Sequence, residues 1–289
     1  MSLSLGAWKT QNRSKEEAGF MEQVEIWGVR GSLPMTGSEY QSYGGSTCCV
    51  SVDCGDKLVV FDAGTGIVRL GLEIAEQKKP VHLFLTHLHV DHVLGLYGFQ
   101  PLYKPGQELH IYGPCVEEGS LQKVLSGLVG APYWPIPLGK MAADITLHEI
   151  KEQETILLPG ETSVKTCRSN HPGVCLMYRM EHQGKALVYG MDCEVDERMS
   201  QSYRSFAKKA QLILFDAHFL PEDLAGHVGW GHSSWVEGIR IKEEAQASKV
   251  AMMHYSWEYE DAVIDRANES AKKQDADCIF AREGMRITL

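Results

Sequence analysis

The sequence predicts an α/β protein built as a four-layer αββα sandwich, two mixed β-sheets flanked by helices. Three observations carry that prediction. Strand-like apolar runs alternate with helical stretches in both halves of the chain, each half also holds a strand-rich meander, and no linker or low-complexity segment separates them. A chain of 289 residues can bury one sizeable core, so residues 21–289 are read as a single domain. Residues 1–20 lack the apolar core of a signal peptide and are read as a disordered N-terminal extension.

Taken in order, Val24 to Ile26, Thr47 to Val52 and Lys57 to Phe61 are short β-rich runs. The segment GVRGSLPMTGSEYQSYGGST between the first two is dense in Gly, Ser and Pro and reads as a long loop, of the kind that lines a site. Asp62-Ala-Gly-Thr-Gly then leaves a strand and opens a helix over about Ile67 to Gln77. Val81 to Leu85 is a buried strand, followed by a helix near Val93 to Phe99 and a strand over 109–113. Residues 117–129 form a helix that Gly130 and APYWPIP terminate. Strands recur at Asp144 to Glu149, Glu161 to Arg168, Val174 to Glu181 and Lys185 to Tyr189, before a helix over Glu197 to Lys208. The closing stretch alternates strand 212–217, helix Ser234 to Ala247, strand 249–254, helix Asp261 to Lys273 and strand 277–281.

Charge and composition exclude several classes. A net charge of −10 argues against a broad nucleic-acid surface, which would need a basic face. It leaves room for a small anionic substrate, because metal ions inside a site invert the local charge. No apolar run approaches the roughly 20 residues of a membrane span. The eight cysteines form no CxxC pair, so reduced, buried thiols and a cytoplasmic location are expected.

The chemistry concentrates in VHLFLTHLHVDHVLG. Directly after a buried strand it places His87, His89, Asp91 and His92 within six residues. Imidazole and carboxylate suit zinc, manganese or iron, and burying four such groups unpaired would cost several kcal/mol each. His171 in SNHPGV, Asp192 after ALVYG and His254 after KVAMM also stand at strand ends, where α/β layers place their chemistry. Two imidazole-rich clusters sharing a carboxylate match a two-metal site.

With these motifs the chain resembles the metallo-β-lactamase superfamily from about residue 24 to 289. The hallmark HxHxDH stands as His87-Leu-His89-Val-Asp91-His92. The resemblance implies two divalent metal ions, zinc first, with manganese or iron also compatible. His87, His89 and His171 would hold one, Asp91, His92 and His254 the other, and Asp192 would bridge them. Asp62 matches a supporting acid behind the metal loop. The chain is most similar to phosphodiesterase-type members, such as tRNA 3′-end processing endonucleases and phosphoribosyl cyclic phosphodiesterases. Those share an acid and His pair that falls here on Asp216 and His232. His232 would serve the leaving oxygen, Asp216 would orient it, and Asp91 is counted with them as catalytic. Roles for His218 and His227 stay open.

Two departures bear on the substrate. The arm that grips tRNA has no evident counterpart, and Cys193 replaces a frequent Thr. In the loop RGSLPMTGSEYQSYGGST, Arg30, Tyr43 and Thr47 are candidates for the site wall, with Arg30 read either as a phosphate contact or as a structural ion pair. The reading reached is a cytoplasmic dinuclear hydrolase acting through a metal-bridging hydroxide on a small or cyclic phosphodiester. Its partners are expected to be that small molecule and a second copy in a homodimer, with no broad nucleic-acid surface and no membrane. Hydrolysis of a carbon ester, thioester or lactam is the first alternative. Redox chemistry of the flavodiiron kind is the second, and metal binding without catalysis the third.

Overall fold

The computed structural model describes residues 23–289 except residue 118. The N-terminal extension expected over residues 1–20 lies outside the described residues. The strands are β1 (Gln23–Gly28), β2 (Cys49–Asp53), β3 (Leu58–Phe61), β4 (Val81–Phe84), β5 (Glu108–Pro114), β6 (Asp144–Ile150), β7 (Thr155–Leu158), β8 (Thr162–Arg168), β9 (Leu176–His182), β10 (Lys185–Gly190), β11 (Leu212–Asp216), β12 (Lys249–Met253), β13 (Ile279–Phe280) and β14 (Arg286–Thr288). They form two seven-stranded sheets, ordered β14–β1–β2–β3–β4–β5–β6 and β13–β12–β11–β10–β9–β8–β7. Each sheet is antiparallel on one side and parallel on the other, with β3 to β6 and β10 to β13 running parallel.

Alternation along the strands builds the layers. Val60, Leu83 and Ile111 face outward, where helices α1 (Gly66–Glu73) and α3 (Leu121–Leu128) bury them with Ile67, Leu70, Leu121 and Leu125. Phe61, Phe84 and Tyr112 face inward; Phe61 and Phe84 meet the second sheet's Tyr178, and Phe61 stacks on its Tyr189 at 5.2 Å between centroids. Helices α4 (Glu197–Phe206), α5 (Trp235–Ala245) and α6 (Asp261–Gln274) cover the far face of the second sheet through residues such as Tyr203, Ile239 and Ile264. Helix α5 starts where its sequence announces it, on a capping box between Ser234 and Glu237.

Some elements differ from expectation. The helix expected near Val93 to Phe99 is one α-turn, α2 (Val90–Val93), followed by 3-10 turns over Leu94–Gly98 and Gln100–Tyr103. Pro101 cannot donate to an α-ladder, and Gly95 packs so close that a Cβ there would lie 2.0 Å from the Gly64 carbonyl oxygen. Helix α1 stops at Glu73, short of Gln77. Strands β7 and β14, both at sheet edges, carried no legible pattern. Among the described residues, no helix is long and apolar enough to cross a membrane.

Candidate metal centre

The carboxyl ends of β3, β4, β10, β11 and β12 meet at one edge of the sandwich. Asp62 follows β3, Thr86 and His87 follow β4, Asp192 follows β10, Asp216 ends β11 and His254 follows β12. At three of these ends the chain turns through the left-handed region on a non-glycine residue: Asp62 at φ 59°, Asp192 at φ 54° and His254 at φ 65°. Such conformations cost on the order of 1–3 kcal/mol each and persist only where surroundings impose them.

A buried network fixes which nitrogens face inward. The Asp62 carboxylate accepts from the Thr86 amide at 2.8 Å, the Thr86 hydroxyl at 3.0 Å and the Tyr189 hydroxyl at 2.9 Å. It lies 2.7 Å from Nδ1 of His92, which assigns the ring proton to Nδ1 and leaves the Nε2 lone pair facing the centre. The Thr86 hydroxyl, donating to Asp62, accepts in turn from His87 Nδ1 at 3.0 Å and frees His87 Nε2. Asp91 is held by the Ser32 backbone N–H at 2.7 Å. These supports from Ser32, Thr86 and Tyr189 were not anticipated; only the place of Thr86 directly before His87 could have hinted at one.

The inward atoms form two groups around Asp192. His92 Nε2 lies 3.2 Å from Asp91 Oδ2, 3.1 Å from Asp192 Oδ2 and 3.3 Å from His254 Nε2. On the other side His171 Nε2 lies 3.2 Å from His89 Nδ1, and His87 and His171 each lie 3.9 Å from Asp192 Oδ1. Each oxygen of Asp192 therefore faces one group. Ions with ligands about 2.0–2.2 Å away need donor atoms about 3–3.4 Å apart, close to the separations around His92 and between His171 and His89, whereas Asp192 Oδ1 stands wider at 3.9 Å. Of the inward atoms, His87 Nε2 and Asp192 Oδ2 are buried and make no hydrogen bond, as expected of side chains shaped for an ion. The residues present fit divalent cations.

Electrostatics agree. Burial pushes the Asp91 carboxyl up, but the facing His92 and His254 imidazoles more than offset it and hold it below the usual range. Asp192 is likewise held low, by His254, His92 and His87 against the cost of burial. His254 is pushed up to about 10: burial opposes its charge, and Asp192, Asp216 and Asp91 outweigh burial. In an ion-free chain, these carboxylates take their counter-charge from protonated imidazole.

Asp216 and His232 stand beside the two groups. His232 Nδ1 lies 2.8 Å from Asp216 Oδ2, and the Asp216 oxygens also accept from the backbone amides of Cys193 and His218 at 3.0 Å. The His232 ring is 5.2 Å from both His171 and His254. His218, left open by the sequence, lies 4.2 Å from the His232 ring at an interplanar angle of 22°, with Nδ1 on the His254 carbonyl at 2.9 Å. Burial, with His232 and His254 nearby, pushes His218 down to about 3 and keeps it neutral.

The long loop after β1 meets the site only at its start. Gly31 packs against His254 and His218, and Ser32 holds Asp91. Arg30, Tyr43 and Thr47 do not form a wall; all three are fully buried. Arg30 bonds the carbonyls of Gly44 at 2.8 Å and Tyr259 at 2.6 Å and pairs with Asp261 at 3.3 Å, so the structural ion pair is the outcome. Tyr43 bonds Asp265, and Thr47 exchanges hydrogen bonds with Thr65.

A family model described as a Beta-lactamase superfamily domain matches residues 57–255. Ribonuclease Z of Haloarcula marismortui is 22% identical over 91% of this chain and 95% of its own length. Among solved structures, the metallo-beta-lactamase fold protein YhfI from Bacillus subtilis covers 92% of this chain and 99% of its own at 19% identity, with a TM-score of 0.72. Human tRNase Z, short form, covers 92% and 98% at 17% identity, with a TM-score of 0.65. The architecture is the metallo-β-lactamase fold. These likenesses correct one expectation, that the partner is a small-molecule phosphodiester and that the chain has no broad nucleic-acid surface: relatives spanning nearly the whole chain are nucleases of RNA by name. Net charge misled because it sums over the whole surface, whereas an ion-lined mouth sets its own local field.

Proposed function

We propose that this chain, which belongs to the beta-lactamase superfamily and is a metal-dependent hydrolase, cleaves a phosphodiester bond of RNA at a two-ion centre. The observation that carries the choice of phosphodiester is the Asp216–His232 pair, 2.8 Å apart and beside both donor groups. His87, His89 and His171 are read as holding one ion, Asp91, His92 and His254 the other, with Asp192 between. Zinc fits this donor set best, and manganese or iron also suits it. Two such ions would lower the pKa of a water and neutralise the phosphoryl oxygens.

The chain's own residues do the rest. Asp62 and Thr86 hold His92 and His87 with their lone pairs inward. Asp91, anchored by Ser32, is a carboxylate that can orient the attacking water. His232, its Nδ1 committed to Asp216, presents Nε2 to the leaving oxygen and hands over a proton as the P–O bond breaks. Asp216 stabilises the imidazolium that this role requires. The buried thiols Cys48, Cys49, Cys175, Cys193 and Cys278 suit a reducing compartment, and we place the protein in the cytoplasm.

The test uses protein loaded separately with Zn²⁺ and Mn²⁺, assayed on RNA, an aryl methyl phosphodiester, a thioester and a lactam. His232→Ala is expected to lower kcat on RNA by about 10²- to 10⁴-fold at unchanged metal content. The loss should be smaller on the aryl diester, whose leaving group departs with little need of a proton. Unchanged RNA turnover in that variant, or a thioester or lactam cleaved better than either diester, defeats the reading.

A further inference from the structure

We infer that Trp230 is a stacking platform for a nucleobase flanking the scissile phosphodiester, an inference that rests on the RNA reading above. The residue lies in the segment Val228–Gly231 that leads into His232, and the Gly231 carbonyl lies 3.2 Å from His171 Nδ1. Its indole is 59% exposed. An exposed aromatic side chain alone says little; what marks this one is how firmly it is held at the rim of the site.

The backbone is pinned on both sides of it. The Glu194 carboxylate accepts from the Gly229 amide at 2.8 Å and the Gly231 amide at 3.0 Å, and the Trp230 amide donates to the His227 carbonyl at 3.1 Å. Gly229 and Gly231 sit at φ +84° and +86°, where a side chain would be strained, and a Cβ on Gly231 would lie 2.3 Å from His171 Nδ1. The indole stands edge-on to His227, with centroids 4.8 Å apart. His227 stacks on Phe219 at 4.1 Å, and Phe219 packs 5.9 Å from His232. A row of rings thus joins the exposed indole to the residue assigned to the leaving oxygen.

A pinned and exposed aromatic ring recognises by stacking, whatever the net charge of the chain. A nucleobase presents a neutral π-face, and aromatic platforms take it with little sequence preference. Because the backbone that carries the indole is already pinned, binding has less to order.

The experiment measures binding of labelled single-stranded RNA to zinc-loaded protein by fluorescence anisotropy, together with steady-state kinetics. Trp230→Leu keeps apolar bulk and removes the planar face; Trp230→Phe restores a ring. The leucine variant should raise Kd and KM for RNA about five- to hundredfold. That loss should exceed any loss on the aryl methyl phosphodiester several-fold, and the phenylalanine variant should recover most of it. RNA binding untouched by Trp230→Leu, equal behaviour of the two variants, or equal losses on both substrates overturns the inference. Wild-type protein that cleaves the aryl diester but binds no RNA sinks this inference and leaves the phosphodiesterase chemistry standing. RNA binding that depends on Trp230 without cleavage of any diester does the reverse.

Discussion

Asp62→Asn is the most informative single change, because it keeps shape and removes only the power to accept everywhere. One oxygen of Asp62 accepts from the Thr86 amide and hydroxyl, and the other faces the Tyr189 hydroxyl and His92 Nδ1. The Thr86 amide is a fixed donor, so the asparagine carbonyl must stay on that side and its NH₂ must face Tyr189 and His92. Tyr189 can turn its hydroxyl and accept. His92 can adapt only by moving its proton to Nε2, the atom that faces Asp91, Asp192 and His254. The variant therefore spends a ligand lone pair to satisfy a hydrogen bond. Loss of the charge-assisted bonds should cost the fold roughly 1–3 kcal/mol. Loss of the orienting partner should weaken ion binding about 10- to 100-fold, roughly 1.4–2.7 kcal/mol. Chelator competition gives the affinity and calorimetry of ion-free protein gives the fold term separately. Asp62→Ala serves as the comparator, since it orphans all these donors and should cost more stability, roughly 3–5 kcal/mol. If Asp62→Asn binds its ions as tightly as the wild type, the assignment of the His92 proton is wrong.

Three further outcomes are expected. In ion-stripped protein His254 sits at about 10, above its ordinary 6.5; its contribution is complete below about pH 6.5 and is lost as pH rises through about 10. The Tm of chelated protein should accordingly fall across that window while metal-loaded protein holds, and a flat Tm in chelated protein contradicts this. Gly31→Ala places a methyl 2.5 Å from His254 Cε1 and 2.7 Å from His218 Nδ1. It should displace the His254 ring and lower ion affinity more than stability, read by metal content against Tm. Arg30→Ala leaves the buried Asp261 without its cation, held only by the Ser42 and Tyr43 amides, and should destabilise the fold by roughly 3–5 kcal/mol. KM of the protein that remains folded should not move, and a raised KM without lost stability would return Arg30 to the substrate.

The sequence by itself determined the layers and the reactive residue types. Periodicity is local, so the apolar runs of β4, β10, β11 and β12 and the capped start of α5 could be read from neighbours along the chain. The crowding of His87, His89, Asp91 and His92 after one strand was legible for the same reason. Edge strands β7 and β14 were not, because short strands with little to bury carry no pattern. Only the tertiary structure decided the partnerships. Tyr189 reaches Asp62 across 127 positions and His254 reaches His92 across 162, separations at which spacing conveys nothing. The left-handed turns at Asp192 and His254 fall on residues whose type does not announce them, because packing around the strand ends imposes the conformation. The burial of Arg30 and the firmly held indole of Trp230 belong to the same class. Both depend on what lies opposite in space, which for Arg30 is Asp261 and for Trp230 is the edge-on ring of His227.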